Sequence, residues 1–174
     1  MNTDLMFSSS KQDWETPQDL FDIINNNFIC SLDVCCDENN KKCPYYFTIE
    51  DNGLEKDWNI IPEHAYAFCN PPYKDVEKWL EKGYSQYKNN KVSSVFLIPA
   101  RTDTIYFHDY VFNKADYLIF IKGRVKFLDN KKEIYPAPFP SCLVVYKVNK
   151  DYKEGRKLIV GTLNQKTKTI NHIW

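Results

Sequence analysis

Short apolar runs alternate with segments of helical periodicity along most of this chain, and that alternation limits the folds open to it. Residues 32–36, 65–69, 92–98 and 117–121 are mainly apolar runs of strand length, the first interrupted by Asp33, whereas 75–88 and 105–112 place apolar side chains at helical spacing. Strands separated by helices are typical of a parallel α/β sheet, because each parallel connection must cross over a face of the sheet. We therefore expect an α/β fold with a mixed, mostly parallel sheet and helices on both faces.

Both ends of this pattern add further elements. Thr16, Pro17 and Asp19 predict a helix N-terminus with Thr16 as the cap and Pro17 in the first turn. Residues 45–49 are predicted as a strand that ends in the turn 50–53. In the C-terminal part, 123–127 and 142–148 are predicted as strands joined by a proline-rich loop, an antiparallel excursion at the sheet edge, with 158–163 as one more strand.

The composition fits one compact unit. The chain has 174 residues, 43% of them hydrophobic, only five glycines, and no repeat or Gly/Ser linker. We expect a flexible N-terminus at 1–12 and a single domain over 13–174, with no separate large target-recognition domain. No apolar run approaches the ~20 residues that cross a bilayer, and 1–12 is polar, which predicts a soluble, unexported protein.

Six cysteines raise the questions of disulfides and of zinc. Cys35, Cys36 and Cys43 lie close together in the sequence, but there is no C-x-x-C pair and no histidine nearby at finger spacing. A chain of this size without a signal peptide does not need disulfides. We predict reduced thiols and no metal site.

The absence of net charge hides an asymmetry between two parts of the chain. Residues 13–63 hold twelve acids against three lysines, and 64–174 hold nineteen lysines and arginines against ten acids, so the two parts carry about −9 and +9. A basic surface attracts a polyanion locally, over roughly a Debye length. The basic part is compatible with nucleic-acid binding; the alternative is that the two parts neutralise each other across the fold.

The sequence Asn70-Pro71-Pro72-Tyr73 directly follows the apolar run 65–69. The carboxyl ends of strands are where α/β sheets place their ligand sites. Two prolines remove two backbone donors and stiffen the turn, so that carbonyl oxygens and the Asn70 side chain are presented as acceptors beside an aromatic face. This arrangement suits a planar amine held for attack on an electrophile without a strong general base. The alternative is an ordinary Pro-Pro turn.

With these residues the chain resembles the S-adenosylmethionine-dependent amino-methyltransferases, whose catalytic signature is similar to Asn70-Pro71-Pro72-Tyr73. Flanking segments resemble the phage-type DNA N6-adenine methyltransferases, the phage Dam family. The similar segments are 13–17, 32–35, 51–54 with Trp58, 68–73, 97–104 with Phe107 and His108, and 120–127. The tetrapeptide alone is shared with RNA and protein-glutamine methyltransferases, whereas the whole set in this order is far more specific.

The resemblance implies a minimal class I, Rossmann-like methyltransferase fold that binds S-adenosyl-L-methionine and methylates the N6 amino group of adenine in double-stranded DNA. Asn70 and the Pro71 carbonyl would hold that amino group, and Tyr73 would stack on a base flipped out of the duplex. The methyl group would pass directly from sulfur to nitrogen. The implied cofactor-binding residues are Trp14, Thr16, Pro17, Asp33, Cys35, Asp51 and Asn70, with Glu50 as an alternative to Asp51.

The residues expected to contact DNA follow the runs 92–98 and 117–121, at the edge of the sheet that should carry Asn70. One group lies in 101–104, and the other belongs to the basic stretch 122–132, where Arg124 and Lys126 alternate on a predicted hairpin. Such a run is usually a solvated face, but beside a base-binding tetrapeptide it favours phosphate contact. The six expected contacts are Arg101, Thr102, Thr104, Lys122, Arg124 and Lys126.

The chain also departs from larger methyltransferases. The glycine-rich turn that many carry after the first strand is replaced by Cys35-Cys36-Asp37, a Cys-containing turn similar to that of the phage family. Only about 33 residues lie between Cys36 and Asn70, too few for two full βα units, so one helix or strand is expected to be missing. Recognition of a DNA sequence must then depend on short loops. The family name suggests GATC as the recognition site, and no residue of this chain identifies that sequence.

The resemblance further implies an enzyme encoded by a phage or prophage and acting in the bacterial cytoplasm, in the setting of restriction and modification. It implies double-stranded DNA as partner, with no membrane and no obligatory protein partner. The alternatives are a methyltransferase acting on RNA or on protein glutamine, and a non-catalytic nucleic-acid-binding relative.

Overall fold

A computed structural model describes residues 14–129, 132–133, 136–148 and 157–172. The segment predicted to be flexible, 1–12, lies outside the described residues, and so does part of the basic stretch 122–132.

Ten short strands form within the described residues. In chain order they are β1 (Cys30–Asp33), β2 (Tyr45–Tyr46), β3 (Tyr66–Cys69), β4 (Ser93–Pro99), β5 (Tyr117–Lys122), β6 (Leu128–Asp129), β7 (Lys132–Glu133), β8 (Ser141–Tyr146), β9 (Ile159–Asn164) and β10 (Thr169–His172). Eight of them form one sheet in the order β10-β9-β5-β8-β4-β3-β1-β2, and β6 and β7 form a separate antiparallel pair.

The main sheet is mixed, and the expectation of a mostly parallel sheet is confirmed only in part. Four of the seven pairings are parallel: β1 with β2, β1 with β3, β3 with β4, and β5 with β9. β8 runs antiparallel to both of its neighbours, and β10 runs antiparallel to β9. The expected antiparallel excursion therefore exists, but β8 lies between β4 and β5 rather than at the sheet edge. All six of its residues are buried, in keeping with the mainly apolar sequence of this central strand.

Helices cover both faces of the sheet, as predicted. They are α1 (Gln18–Phe28), α2 (Val76–Ser85) and α3 (Ile105–Phe107), the last two continued by π-helical segments over Gln86–Asn90 and His108–Phe112. Side chains of β4 alternate between the two sides: Val95 and Leu97 join the cluster that contains α1, whereas Phe96 and Ile98 join the cluster that contains α2 and α3. The period of two in the apolar strand is thus used to build two cores.

Two local predictions are wrong. Helix α1 begins after Pro17, which takes the N-cap position, and no side chain caps the helix. Thr16 is instead buried, with 3% of its surface exposed. The predicted strand 123–127 is absent, because the chain turns at Gly123, whose φ of +85° suits glycine, and the antiparallel pair forms later, between β6 and β7. β10 was not predicted.

The stretch between β1 and β3 has little regular structure, as its short length predicted. It contains only the two-residue strand β2 and no helix. The six cysteines are free thiols.

Candidate active site

The carboxyl ends of β1 and β3 lie side by side at a switch point of the sheet. The chain leaves β1 for β2 on one side and returns to β3 on the other, so the strand order reverses between β1 and β3. Open α/β sheets bind ligands at such points. A cavity of about 240 Å³ opens here. Its walls come from four segments, 14–16, 33–42, 48–54 and 68–75, together with Trp79.

Asp33 is the last residue of β1, and it forms a charged floor to the cavity. Only 2% of its surface is exposed. Its Oδ2 accepts the backbone N–H of Lys42 at 3.0 Å, and its Oδ1 accepts that of Cys35 at 3.3 Å. Burial raises the pKa of Asp33 to about 6, and the two backbone hydrogen bonds oppose this rise. The carboxylate therefore ties the turn after β1 and leaves part of its acceptor capacity facing the cavity.

The loop after β2 closes the cavity from the other side. Asn52 has a positive φ of 55°, which turns the chain so that Gly53 packs directly on the backbone of Val34, the residue after β1. A Cβ at Gly53 would stand 2.2 Å from the Val34 carbonyl oxygen, so only glycine fits. The Gly53 carbonyl in turn accepts the indole N–H of the buried Trp58 at 2.8 Å.

Asn70 follows β3 and is oriented by the N-terminal segment 14–17, which crosses the edge of the sheet. Its Nδ2 donates to the Trp14 carbonyl at 2.6 Å. A carbonyl can only accept, so this contact decides which way the amide faces. The Oδ1 of Asn70 remains as an acceptor at the cavity wall. Pro72 also lines the cavity, and its carbonyl accepts the Asp75 N–H at 2.9 Å, which begins α2.

Tyr73 belongs to an aromatic cluster beside the cavity. Its ring lies 5.4 Å from that of Trp14 and 6.5 Å from that of Phe127, measured between centroids, and 6.4 Å from Phe139. The Arg101 guanidinium lies over the Phe139 ring at 4.0 Å. Burial raises the pKa of Tyr73 above its usual range, so the phenol stays neutral.

The structure brings most of the predicted cofactor-binding residues together. Asp51 and Glu50 do not belong to the cavity lining, and the exposed Asp51 carboxylate instead accepts the N–H and the hydroxyl of Thr48. Pro17 lies one residue beyond the lining, in a second groove described below. The predicted cofactor-binding residues that line the cavity are Trp14, Thr16, Asp33, Cys35 and Asn70.

The residues predicted to contact DNA separate into two places. Arg101 lies near the aromatic cluster, Thr104 donates its hydroxyl to the Arg101 carbonyl at 2.7 Å, and Thr102 is exposed. The second group borders an exposed groove, where Arg124 and Lys126 point outward while Val125 and Phe127 are buried. The predicted alternation of charged residues is therefore present, without the predicted hairpin.

Several lining residues carried no sequence signal that singled them out. Among them, Asn40 and Lys42 lie in the loop between β1 and β2, and Trp79 lies in α2. Asn52 and Gly53 were recognised as a turn, and a glycine in so glycine-poor a chain could have suggested a close backbone approach.

The sequence profile of the family described as DNA N-6-adenine-methyltransferase (Dam) matches residues 5–172. The chain belongs to the Dam family. The match covers nearly the whole chain, including all of the segments that form the cavity. Membership of the Dam family supports a DNA adenine methyltransferase activity.

Two proteins are similar over shorter stretches. The protein named "Putative methyltransferase YfdM" of Escherichia coli (strain K12) is 43% identical over 63 residues, which are 34% of this chain and 69% of that protein. The "DNA N-6-adenine-methyltransferase" of Escherichia phage T1 is 26% identical over 104 residues, 59% of this chain. The aligned part is 42% of the phage T1 protein. Within the described residues, no helix combines the length and the apolar character needed to span a bilayer.

Proposed function

We propose that this Dam-family protein transfers a methyl group from S-adenosyl-L-methionine to the N6 amino group of adenine in double-stranded DNA, after the base has been flipped out of the duplex. The observation that carries the proposal is the placement of Asn70. Its amide is turned by the Trp14 carbonyl so that Oδ1 remains as an acceptor, at the wall of a cavity at the sheet's switch point.

The cavity suits the chemistry of S-adenosyl-L-methionine. This cofactor carries a sulfonium and an ammonium group, a carboxylate, ribose hydroxyls and an adenine ring. Asp33 would hold a cationic part, because its buried carboxylate is costly to ionise alone and gains from a nearby positive charge. Lys42 would attract the carboxylate, and the side chains of Asn40 and Asn52 offer hydrogen bonds to hydroxyl groups.

When bound, the cofactor supplies an electrophilic methyl group. Asn70 Oδ1 and the Pro71 carbonyl would accept the two N–H groups of the adenine amine, which fixes its nitrogen without removing a proton first. Tyr73 would stack on the base as a neutral ring, since its raised pKa keeps it from serving as a base. Positioning in a site shielded from water would then supply most of the acceleration.

We further infer that the fold is a minimal class I, Rossmann-like methyltransferase fold. Parallel strands meet at a ligand-binding switch point, helices cover both faces, and the region between β1 and β3 is reduced to β2 and loops. We also infer that the protein acts on DNA in the bacterial cytoplasm. We infer a short recognition site, for which the family name suggests GATC.

The test is transfer of labelled methyl from S-adenosyl-L-methionine to unmodified double-stranded DNA, followed by nucleoside analysis. We expect N6-methyladenine, and sequencing of the product then gives the recognition site. Label in RNA or in protein glutamine, but not in DNA, would contradict the substrate. Cofactor binding without transfer to any acceptor would contradict the activity and favour a nucleic-acid-binding role.

A further inference from the structure

A second concave surface lies apart from the cavity and has a different character. It is a groove of about 560 Å³ between the segment 122–126 and the turn that joins β9 to β10. Four cationic side chains border it, and we call it the basic groove. They are Lys122, Arg124, Lys126 and Lys166.

The register of the sheet places the basic groove on the same edge as the candidate active site. β5 and β9 are parallel, and Lys122 at the end of β5 lies opposite Asn164 at the end of β9. These strands also run in the direction of β1 and β3, because β8 is antiparallel to both β4 and β5. The carboxyl ends of parallel strands share one edge. The groove and the cavity therefore open along a common edge.

Two chain segments connect the groove directly to the site. Thr16 lines the cavity and the next residue, Pro17, lines the groove. Likewise Lys126 borders the groove, whereas Phe127 contacts the rings of Trp14 and Tyr73. One residue spans at most about 3.6 Å of chain. A strand of nucleic acid with one base at Tyr73 would therefore have neighbouring phosphates within reach of the groove.

The walls of the groove are fixed and are arranged for an anion. Arg124 donates to the Pro138 carbonyl at 2.7 Å, and Asn164 Oδ1 accepts the Lys166 backbone N–H at 3.1 Å, so both sides are held. The one acid in the lining, Asp19, directs its Oδ1 to the Leu20 N–H. Among the described residues, no acidic side chain forms a salt bridge with Lys122 or Lys166. Within the described part of the chain, the charges of Lys122 and Lys166 are thus not offset by an ion pair.

We propose that the basic groove holds the phosphodiester backbone of duplex DNA next to the flipped nucleotide, and that Lys166 supplies one of its phosphate contacts. This proposal rests on the proposed function, because it takes DNA as the substrate. Lysine, arginine, asparagine and glutamine are among the side chains that contact phosphates, and all four types line this groove. The β9–β10 turn thereby becomes a DNA-binding element.

The test compares two lysines at opposite ends of one strand. Lys166 follows β9 at the edge of the groove, and Lys157, also exposed, precedes β9 at the other edge of the sheet. Lys166→Ala and Lys157→Ala remove the same charge from these two places. Affinity for a mixed-sequence DNA duplex is measured by fluorescence anisotropy over a range of salt concentrations, without cofactor, and cofactor binding is measured separately as a check on folding.

We expect Lys166→Ala to lower duplex affinity by up to about tenfold at low salt and to reduce the salt slope by about one unit, as the loss of one phosphate contact requires. Lys157→Ala should match the wild type. Equal behaviour of the two variants would overturn the proposal. A preference for single-stranded RNA over the duplex with the same dependence on Lys166 would overturn DNA as the occupant. Failure of the wild type to methylate DNA that it binds would overturn the proposed function alone, and the two variants would still decide the role of the groove.

Discussion

The cavity and the basic groove lie on one edge of the sheet but are built in opposite ways. In the cavity the key groups are buried and already bonded: Asp33 accepts two backbone N–H groups, and Gly53 packs on the backbone of Val34, directly after β1. In the groove the cationic side chains are exposed, and that of Arg124 also donates to the Pro138 carbonyl. The first region resembles a protein interior, and the second resembles a charged surface.

This contrast predicts two kinds of response to change. A substitution in a buried, fixed site has a large effect, because the buried groups that it leaves without a hydrogen-bond partner are not satisfied by water. An exposed set of charges responds gradually, since each contributes one screened contact of several. We therefore expect substitutions in the cavity to act on chemistry or cofactor binding, and those in the groove to act on salt-dependent DNA affinity.

The largest effect is expected at the tetrapeptide. Asn70→Ala or Tyr73→Ala should lower the rate of methyl transfer by about 100-fold or more, because the amine is no longer held for attack. Most of the cofactor affinity and the fold should remain. Single-turnover transfer of labelled methyl to duplex DNA measures the rate, and calorimetric titration measures cofactor binding.

Tyr73→Phe is the matched control for this prediction. It keeps the flat face and removes a hydroxyl whose raised pKa excludes a role as a base, so it should retain most activity. Full activity in Asn70→Ala would contradict the proposed role of the tetrapeptide. A loss of cofactor binding equal to the loss of rate would assign Asn70 to the cavity structure through its bond to Trp14 instead.

A smaller effect, on binding rather than chemistry, is expected at Gly53. The Cβ of Gly53→Ala would meet the Val34 carbonyl oxygen at 2.2 Å, so the loop 48–54 must move away from β1. Such overpacking costs about 1–3 kcal/mol of stability and should widen the cavity. We expect cofactor affinity to fall by about tenfold or more, on the basis that 1.4 kcal/mol corresponds to a factor of ten. Calorimetric titration and denaturant unfolding measure the two effects.

Gly123→Ala serves as the comparison from the groove side. An added Cβ there meets nothing within 4 Å, but the φ of +85° makes the substitution unfavourable by about 1–2 kcal/mol. Stability should therefore fall in both variants, whereas cofactor affinity should fall only in Gly53→Ala. If both lose cofactor affinity alike, the cavity is not the cofactor site.

A further test uses the raised pKa of Asp33. With a pKa of about 6, the carboxylate is ionised at pH 7 and about nine-tenths protonated at pH 5. A cationic ligand binds the ionised form, so cofactor affinity should be about tenfold lower at pH 5 than at pH 7. No histidine belongs to the cavity lining, and Asp33 is a lining carboxyl whose pKa is raised into this range. Titration calorimetry at both pH values measures the change.

Stability should respond to Asp33 in the opposite sense. Its folded pKa of about 6 lies above the ordinary value of 3.8, so the folded state binds more protons between these values and this group's contribution to stability grows as the pH falls through 6. Protonation of Asp33 therefore does not destabilise the folded state, so a weaker cofactor affinity at pH 5 would not result from unfolding caused by this residue. Asp33→Asn should bind the cofactor weakly at both pH values. A wild-type affinity that is the same at pH 5 and pH 7 would remove Asp33 from the cofactor site.

The sequence predicted those parts of the molecule that local patterns encode. β3 is a fully apolar run and β4 and β5 are mainly apolar, and their approximate bounds follow from that alone. The alternation of Arg124 and Lys126 with buried neighbours was also predictable, although the hairpin was assigned too early in the chain. The tetrapeptide could be recognised because four successive residues carry its chemistry.

What could not be predicted depends on partners far apart in the chain. The position of β8 between β4 and β5 depends on strand pairing, and an apolar run in the sequence does not indicate which strands it pairs with. The contact that orients Asn70 joins residues 56 positions apart. Lys166 is a candidate DNA contact because the register of the sheet places the end of β9 beside the end of β5, and these two strands are far apart in the sequence.

The smallest effect is expected at Arg124, and it separates the charge of the groove from its structure. Arg124→Ala should weaken duplex affinity a few-fold and reduce the salt slope by about one unit, because one phosphate contact is lost. Arg124→Lys keeps the charge but not the planar group that donates to the Pro138 carbonyl, so it should retain the salt slope. Anisotropy titrations at several salt concentrations distinguish the two. If Arg124→Lys loses as much of the slope as Arg124→Ala, the residue acts by tying 124 to 138, and the groove is then a built site like the cavity rather than a graded charged surface.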